Sequence, residues 1–287
     1  MAEYPAVDLA VVAEVTRAPV MTTADIEVPA FRRRRRLGVY AGRVALVALW
    51  LGSWELASTY WIDPFFYSKP SEIAHKLVDW FTNGTSYGSI WEQISATLQE
   101  AVYGFILGAV VGVLLGVILG RARYLADVLA PFIKAANAIP RIVLATIFVI
   151  WFGFGMSSKV ATAFVLVFFG VFFNAFQGAR EVPRVIDDNA RILGASRLQM
   201  MRTVVLPSAT TWILASLHTA FGFALIGAIV GEYTGADKGL GMLIAHSQGT
   251  FDSPGIYAAM IIMTVLALLA EGLLTAIERR LTKWQPR

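Results

Sequence analysis

Residue types capable of covalent chemistry are sparse in this 287-residue chain, and their spacing denies them a common site. With no cysteine, thiolate nucleophiles, disulfides and Cys-ligated zinc are excluded together. His75, His218 and His246 are scattered and form no ligand set, so no metal site is expected. No G-x-x-x-x-G-K-[ST] phosphate loop, no H-E-x-x-H and no G-x-S-x-G occurs, so the chain has neither an ATP site nor a catalytic centre of its own. The informative spacing lies between residues 178 and 208. Gly194 accepts positive φ cheaply and should terminate a short helix over about 183–193. Ser196 with Gln199 three residues later predicts a capping box opening a second helix. That helix should end near Leu206, with Pro207 marking entry into the next apolar run. Ile192, Leu193, Leu198, Met200, Met201, Val204 and Val205 give this basic segment more apolar surface than a solvated loop needs. Two destinations are open to that surface: the chain's own helix ends, or a groove on another protein.

The surrounding elements are set by lipid. The chain is 57% hydrophobic and only 15% charged, where a soluble protein carries about 25% charge. Six stretches approach the roughly 20 apolar residues that a spanning helix needs: about 37–60, 96–120, 140–154 (possibly extended back over 128–138), 156–176, 210–230 and 256–277. The first is the least clean, with Arg43 and Glu55 near its ends. Charge placement supports the count. Arg121, Arg123 and Lys134, then the Arg180–Arg202 series, then Arg279, Arg280, Lys283 and Arg287 all fall on the side of the arginine run Arg32–Arg36, which puts both termini in the cytoplasm. Residues 1–36 read as a disordered cytoplasmic tail rather than a secretory signal, since Glu3, Asp8, Glu14, Asp25 and Glu27 interrupt any apolar run. The arginine run reads as a topological anchor against anionic lipid, not as a nucleic-acid arm. The remaining divisions are 37–95 (first span and an outer helix), 96–280 (the core) and a C-terminal tail, 281–287.

Within 61–95, Ile73, Leu77, Trp80 and Phe81 recur at helical spacing after Pro70-Ser71, predicting an amphipathic helix along the outer interface. Gly104, Gly108, Gly112, Gly116 and Gly120 stand four apart and predict a smooth face for close helix packing, within the chain rather than between copies. Polar residues in or beside the spans are candidates for a solute pathway or gate: Asn137, Arg141, Asn174, Gln177, His218 and, at the outer end of the fifth span, Glu232. For each, a packing role competes with solute contact. An ion-coupled carrier or channel is the rival class, but it needs midplane carboxylates or an inverted repeat, and the span centres hold almost no carboxylates.

The run Asp188-Asn189-Ala190-Arg-Ile-Leu-Gly194-Ala195-Ser196-Arg-Leu198-Gln-Met-Met-Arg-Thr-Val204-Val-Leu206-Pro207 resembles the EAA loop of bacterial ABC-importer permeases, E-A-A, three residues, G, nine residues, I-x-L-P. Ala190, Gly194, Leu206 and Pro207 match at the family spacing, while Asp188 replaces Glu, Asn189 replaces Ala and Val204 replaces Ile. Ile139-Pro140-Arg141 leading to Trp151-Phe152-Gly153-Phe154-Gly155, and Gly231-Glu232 followed by Gly239-Leu240-Gly241, are similar to the nitrate/sulfonate/taurine branch. The resemblance covers about residues 65–285. It implies an all-α integral membrane protein of about six transmembrane helices with the type I ABC importer permease fold, in the bacterial inner membrane. It also implies partners: ABC ATPase subunits carrying ATP and Mg, an extracytoplasmic solute-binding protein and a second permease copy in a homodimer. The permease binds no cofactor itself. By the same resemblance the 188–202 segment is the coupling helix and the cargo is a small anion such as a sulfonate, taurine, nitrate or an organic acid.

Overall fold

The computed structural model describes residues 29–281; the readings for 1–28 and for 282–287 lie outside the described residues. The chain divides into two units, 1–56 and 57–287. In the first, helix α1 begins at Pro29, so the arginine run lies within the helix, which continues to Tyr60.

The second unit is helical throughout: α2 Pro64–Tyr67, α3 Pro70–Thr82, α4 Ile90–Arg121, α5 Arg123–Ala138, α6 Arg141–Phe152, α7 Met156–Arg180, α8 Arg184–Ile192, α9 Arg197–Met200, a π-helical turn Met201–Val205, α10 Leu206–Thr234, α11 Leu240–Gly249 and α12 Ser253–Leu281. No β-strand occurs among the described residues.

Helix α7 is the centre of the core, with α4 packed on one side and α10 on another. The glycine stripe explains the closeness of the first pair. A Cβ at Gly104 would stand 2.3 Å from the Ala163 Cβ, one at Gly108 2.7 Å from Val167, and one at Gly120 2.8 Å from Ala179. The stripe therefore faces α7 within the same chain. It meets Ala163, Val167, Val171, Ala175 and Ala179, which repeat at the same interval of four. Two helices whose facing ridges are this small approach backbone to backbone, which is how packing replaces the hydrophobic effect in lipid.

Four helices among the described residues are long and apolar enough to cross a bilayer: α4, α7, Leu198–Thr234 and the Ser253–Ala276 part of α12. The expected third span is not straight. It consists of α5 and α6, bent by 87° at Ile139-Pro140, and qualifies as a fifth span only as a broken pair. Proline forces its predecessor into extended geometry, and Ile139 accordingly has ψ 127°. With 12 residues, α6 alone reaches about 18 Å, well short of a bilayer core of about 30 Å. The expected first span is a helix, but its described residues do not reach the same apolarity, diluted by Arg43, Glu55 and several hydroxyl-bearing residues.

Helix α3 forms where its periodicity predicts, but its apolar face does not lie wholly at an interface. Ile73 and Trp80 are buried, with α12 as the neighbour, and Lys76 bridges to Asp252 at 2.7 Å.

Candidate functional site: the Gly194 loop and the polar residues of the spans

The loop between α7 and α10 is built as its punctuation suggests, with one difference. Helix α8 ends in a Schellman motif: Gly194 has φ +81°, and the Ala195 N–H donates to the Ala190 carbonyl at 3.0 Å. The matched positions Ala190 and Gly194 are thus parts of one turn. The capping box is present: the Gln199 side-chain oxygen accepts from the Ser196 N–H at 2.8 Å, and the Gln199 N–H donates to Ser196 Oγ at 3.3 Å. Contrary to expectation, the second helix does not end near Leu206. It passes through the π turn at Met201–Val205 straight into α10, with Pro207 just beyond that turn, where the helical ladder lacks the hydrogen bond a proline cannot donate. Hence a single helical rod runs from Leu198 to Thr234.

The loop's apolar residues take both of the destinations open to them. Met200 and Val205 are buried in a cluster with Val117, Ala175, Ala179 and Val182, flanked by Ala190, Met201 and Val204. Ile192, Leu193 and Leu198 are 83%, 86% and 60% exposed. Asp188 and Asn189 are exposed beside them, as are Ser196 and, at the join, Leu206 and Pro207; Ala195 is half-buried. One face of the loop is therefore anchored to the spans, and the other presents large apolar side chains.

At the opposite end of the spans lies a buried polar knot. Glu232, 1% exposed, accepts from Thr97 Oγ1 at 2.6 Å and from the Gly241 N–H at 2.6 Å. The Thr97 hydroxyl also accepts from the Leu240 N–H at 2.9 Å, and Gln93 Oε1 accepts from the Gly239 N–H at 2.8 Å. The Gly-Glu and Gly-Leu-Gly pattern follows from this geometry. A Cβ at Gly239 would fall 2.2 Å from the Glu232 carboxyl carbon, one at Gly241 2.8 Å from the Glu232 Cβ, and one at Gly231 3.0 Å from the Lys159 Cα. Lys159, fully buried, donates to the Phe154 carbonyl. Glu100, 5% exposed, lies beside Glu232 in the same cluster, and its Oε2 has no hydrogen-bond partner among the described residues. Sequence reasoning found Glu232 but missed Gln93, Thr97, Glu100 and Lys159. The signal available was Gln93, Thr97 and Glu100 at helical spacing along one face at the start of an otherwise apolar helix.

The six pathway candidates separate. Asn137 and Arg141 share one cavity. His218 pairs with Glu271 of α12 at 3.6 Å, in a different cavity. Asn174 donates to the Gly170 carbonyl and Gln177 to Glu181, each within or at the end of its own helix. Glu232 belongs to the polar knot.

A helical bundle of apolar spans, one of them broken, with a capped loop displaying apolar side chains, defines a multi-pass membrane protein. Residues 108–283 match the model of the binding-protein-dependent transport system inner membrane component family, and the chain belongs to that family. It is 35% identical over 249 residues to the riboflavin transport system permease of Chloroflexus aurantiacus, covering 87% of this chain and 90% of that protein. Identity to the taurine transport system permease of Escherichia coli is 27% over 252 residues, covering 87% and 90%. The formylaminopyrimidine transport permease of Halalkalibacterium halodurans is 30% identical over 234 residues, covering 82% and 92%. In fold, the chain is similar to a solved chain of the MetNI methionine ABC transporter in an inward-facing conformation, with a TM-score of 0.55 at 20% identity, covering 67% of this chain and 93% of that one. The protein is therefore an ABC importer permease for a small solute, resident in the inner membrane.

Proposed function

We propose that this permease is driven through the Gly194 loop by separate ATPase subunits that carry the ATP and Mg, so that Asp188, Asn189, Ala190, Gly194, Ala195, Ser196, Leu198, Leu206 and Pro207 form the coupling segment. The supporting observation is the exposure of Ile192, Leu193 and Leu198 on a loop whose second helix is continuous with α10. Apolar side chains that are neither in lipid nor in the core need a protein groove. A rod from Leu198 to Thr234, about 55 Å long, would carry any tilt imposed at the loop to the Glu232 knot at its other end. In this reading both termini are cytoplasmic, two copies of the chain form the translocation unit, and an extracytoplasmic solute-binding protein delivers the cargo. The cargo is a small anion: a sulfonate, taurine, nitrate or an organic acid. The relatives are named for riboflavin, a formylaminopyrimidine and taurine, which supports a small organic solute.

Purification of the tagged permease from its native membrane tests the reading. An ATPase subunit should accompany it in roughly equal amount, and Leu193→Asp with Leu198→Asp should release that subunit while the permease stays in the membrane. Retention of the ATPase by the double variant would refute the assignment of this face.

A further inference from the structure

Arg141 is a charged residue among the spans. It opens α6, and Phe169, Gly170 and Phe223 beside it lie midway along α7 and α10, far from the ends of both helices. Ionisable groups at that depth are costly and face a protein interior or a wet cavity. Its guanidinium is held rigidly. Nη1 donates to the Asn137 and Ile139 carbonyls at 2.5 and 3.2 Å, and Nη2 donates to Asn137 Oδ1 at 2.7 Å. The guanidinium carbon lies 5.8 Å from the centre of the Phe169 ring. These bonds cap the carbonyls at the end of α5, which by itself would account for an arginine here. They use three donors, however, and a guanidinium has five.

The same arginine borders a cavity of about 240 Å3, lined also by Asn137, Phe169, Gly170, Phe173 and Phe223. Phe169 and Phe173 are stacked, with centroids 6.2 Å apart and planes inclined by 25°. A cavity of about 150 Å3 accepts a benzene ring, so this one has room for a single ring bearing one small substituent. Aromatic walls favour a flat ring stacked at an offset, and the spare guanidinium donors favour a carboxylate on that ring.

We infer that the Arg141 cavity is a solute subsite within the membrane and that it takes a planar, single-ring aromatic carboxylate. The inference rests on the importer reading and narrows its organic-acid option. Arg141 supplies the charge-assisted hydrogen bonds, and the three phenylalanines supply the stacking faces. Gly170 leaves the room: a Cβ there would meet Phe223 at 3.6 Å, an ordinary contact, so a methyl fits at this position and takes up part of the cavity.

The test uses the permease with its ATPase subunits in lipid nanodiscs, without a binding protein, and para-fluorobenzoate as the probe, followed by fluorine NMR. Expected are line broadening reversed by benzoate but not by taurine, and affinity weakened at least about tenfold by both Arg141→Gln and Gly170→Val. Arg141→Gln removes the α5 cap as well and could unfold the bend. Gly170→Val keeps every Arg141 hydrogen bond, so with an unchanged melting temperature it decides the matter. No broadening, displacement by taurine as effective as by benzoate, or unaltered binding in Gly170→Val would each overturn the subsite. The importer reading is tested separately by ATPase co-purification and ATP-driven uptake, which do not depend on this cavity.

Discussion

The Thr97 hydroxyl donates a 2.6 Å hydrogen bond to Oε1 of Glu232, joining α4 to the end of α10 across 135 positions of sequence. The same hydroxyl receives the Leu240 N–H, and the second Glu232 oxygen receives the Gly241 N–H, so one carboxylate and one threonine order the entry to α11. Both side chains are buried. In such a place an unpaired polar atom is costly, and the knot stands or falls as a unit.

Thr97→Val should therefore remove one hydrogen bond to Glu232 and leave the Leu240 N–H without the hydroxyl that receives it, at a cost of about 1–3 kcal/mol for the unpaired N–H. Thermal unfolding in detergent should show a lowered midpoint, with Thr97→Ser restoring most of it because the hydroxyl returns. A valine variant as stable as the parent would show that the hydrogen bond contributes nothing.

The glycine stripe makes a second prediction. Gly108→Ala places a Cβ 2.7 Å from the Val167 Cβ and 2.9 Å from the Phe164 carbonyl oxygen, so α4 and α7 must move apart. Overpacking of this kind costs about 1–3 kcal/mol. Gly272→Ala, at a position with open space around it, should be neutral or stabilising by up to about 1 kcal/mol. Combining Gly108→Ala with Val167→Ala should recover part of the loss in a double-mutant cycle. Additive losses in that cycle would place the contact elsewhere.

Gly194 has open space around it, so sterics do not select glycine there; its φ of +81° does. Gly194→Ala should strain the turn by about 1–2 kcal/mol, and Gly194→Pro cannot adopt the angle at all. Both should insert into the membrane, while ATP-driven uptake in proteoliposomes falls modestly in the first and disappears in the second. Full uptake by Gly194→Pro would remove this turn from the coupling path.

The π turn at Met201–Val205 holds one residue more per turn than an α-helix would. Inserting one alanine after Thr203, which is exposed, adds a residue beyond the one the π turn already absorbs and should rotate α9 by about 100° relative to α10. Leu198 would then leave the face it shares with Ile192 and Leu193. ATPase co-purification should drop sharply with the rod still helical by circular dichroism. An unchanged yield of ATPase would mean that the register of the rod is irrelevant to docking.

Much of the architecture was legible because lipid leaves the chain few choices. Runs of apolar residues become helices, since every backbone polar group must be satisfied within the segment. The capping box and the Gly194 turn were legible for a related reason: each is closed by neighbours within five residues, so local sequence contains all the partners. The bend at Ile139-Pro140 was only half legible. Proline announces a break, but whether the two halves form one span or two depends on the packing of α6 against α7 and α10.

By itself, then, the sequence determined the membrane environment, the helical class and the loop with its two caps, because these follow from composition and short-range spacing. Tertiary structure decided that the glycine stripe meets α7 and that Glu232 pairs with Thr97. It also decided that Asn137 and Arg141 share a cavity while His218 turns to Glu271, and that the loop's second helix runs on into α10. Those outcomes depend on which helix faces which, and in lipid that is settled by the fit of side-chain surfaces from distant parts of the chain.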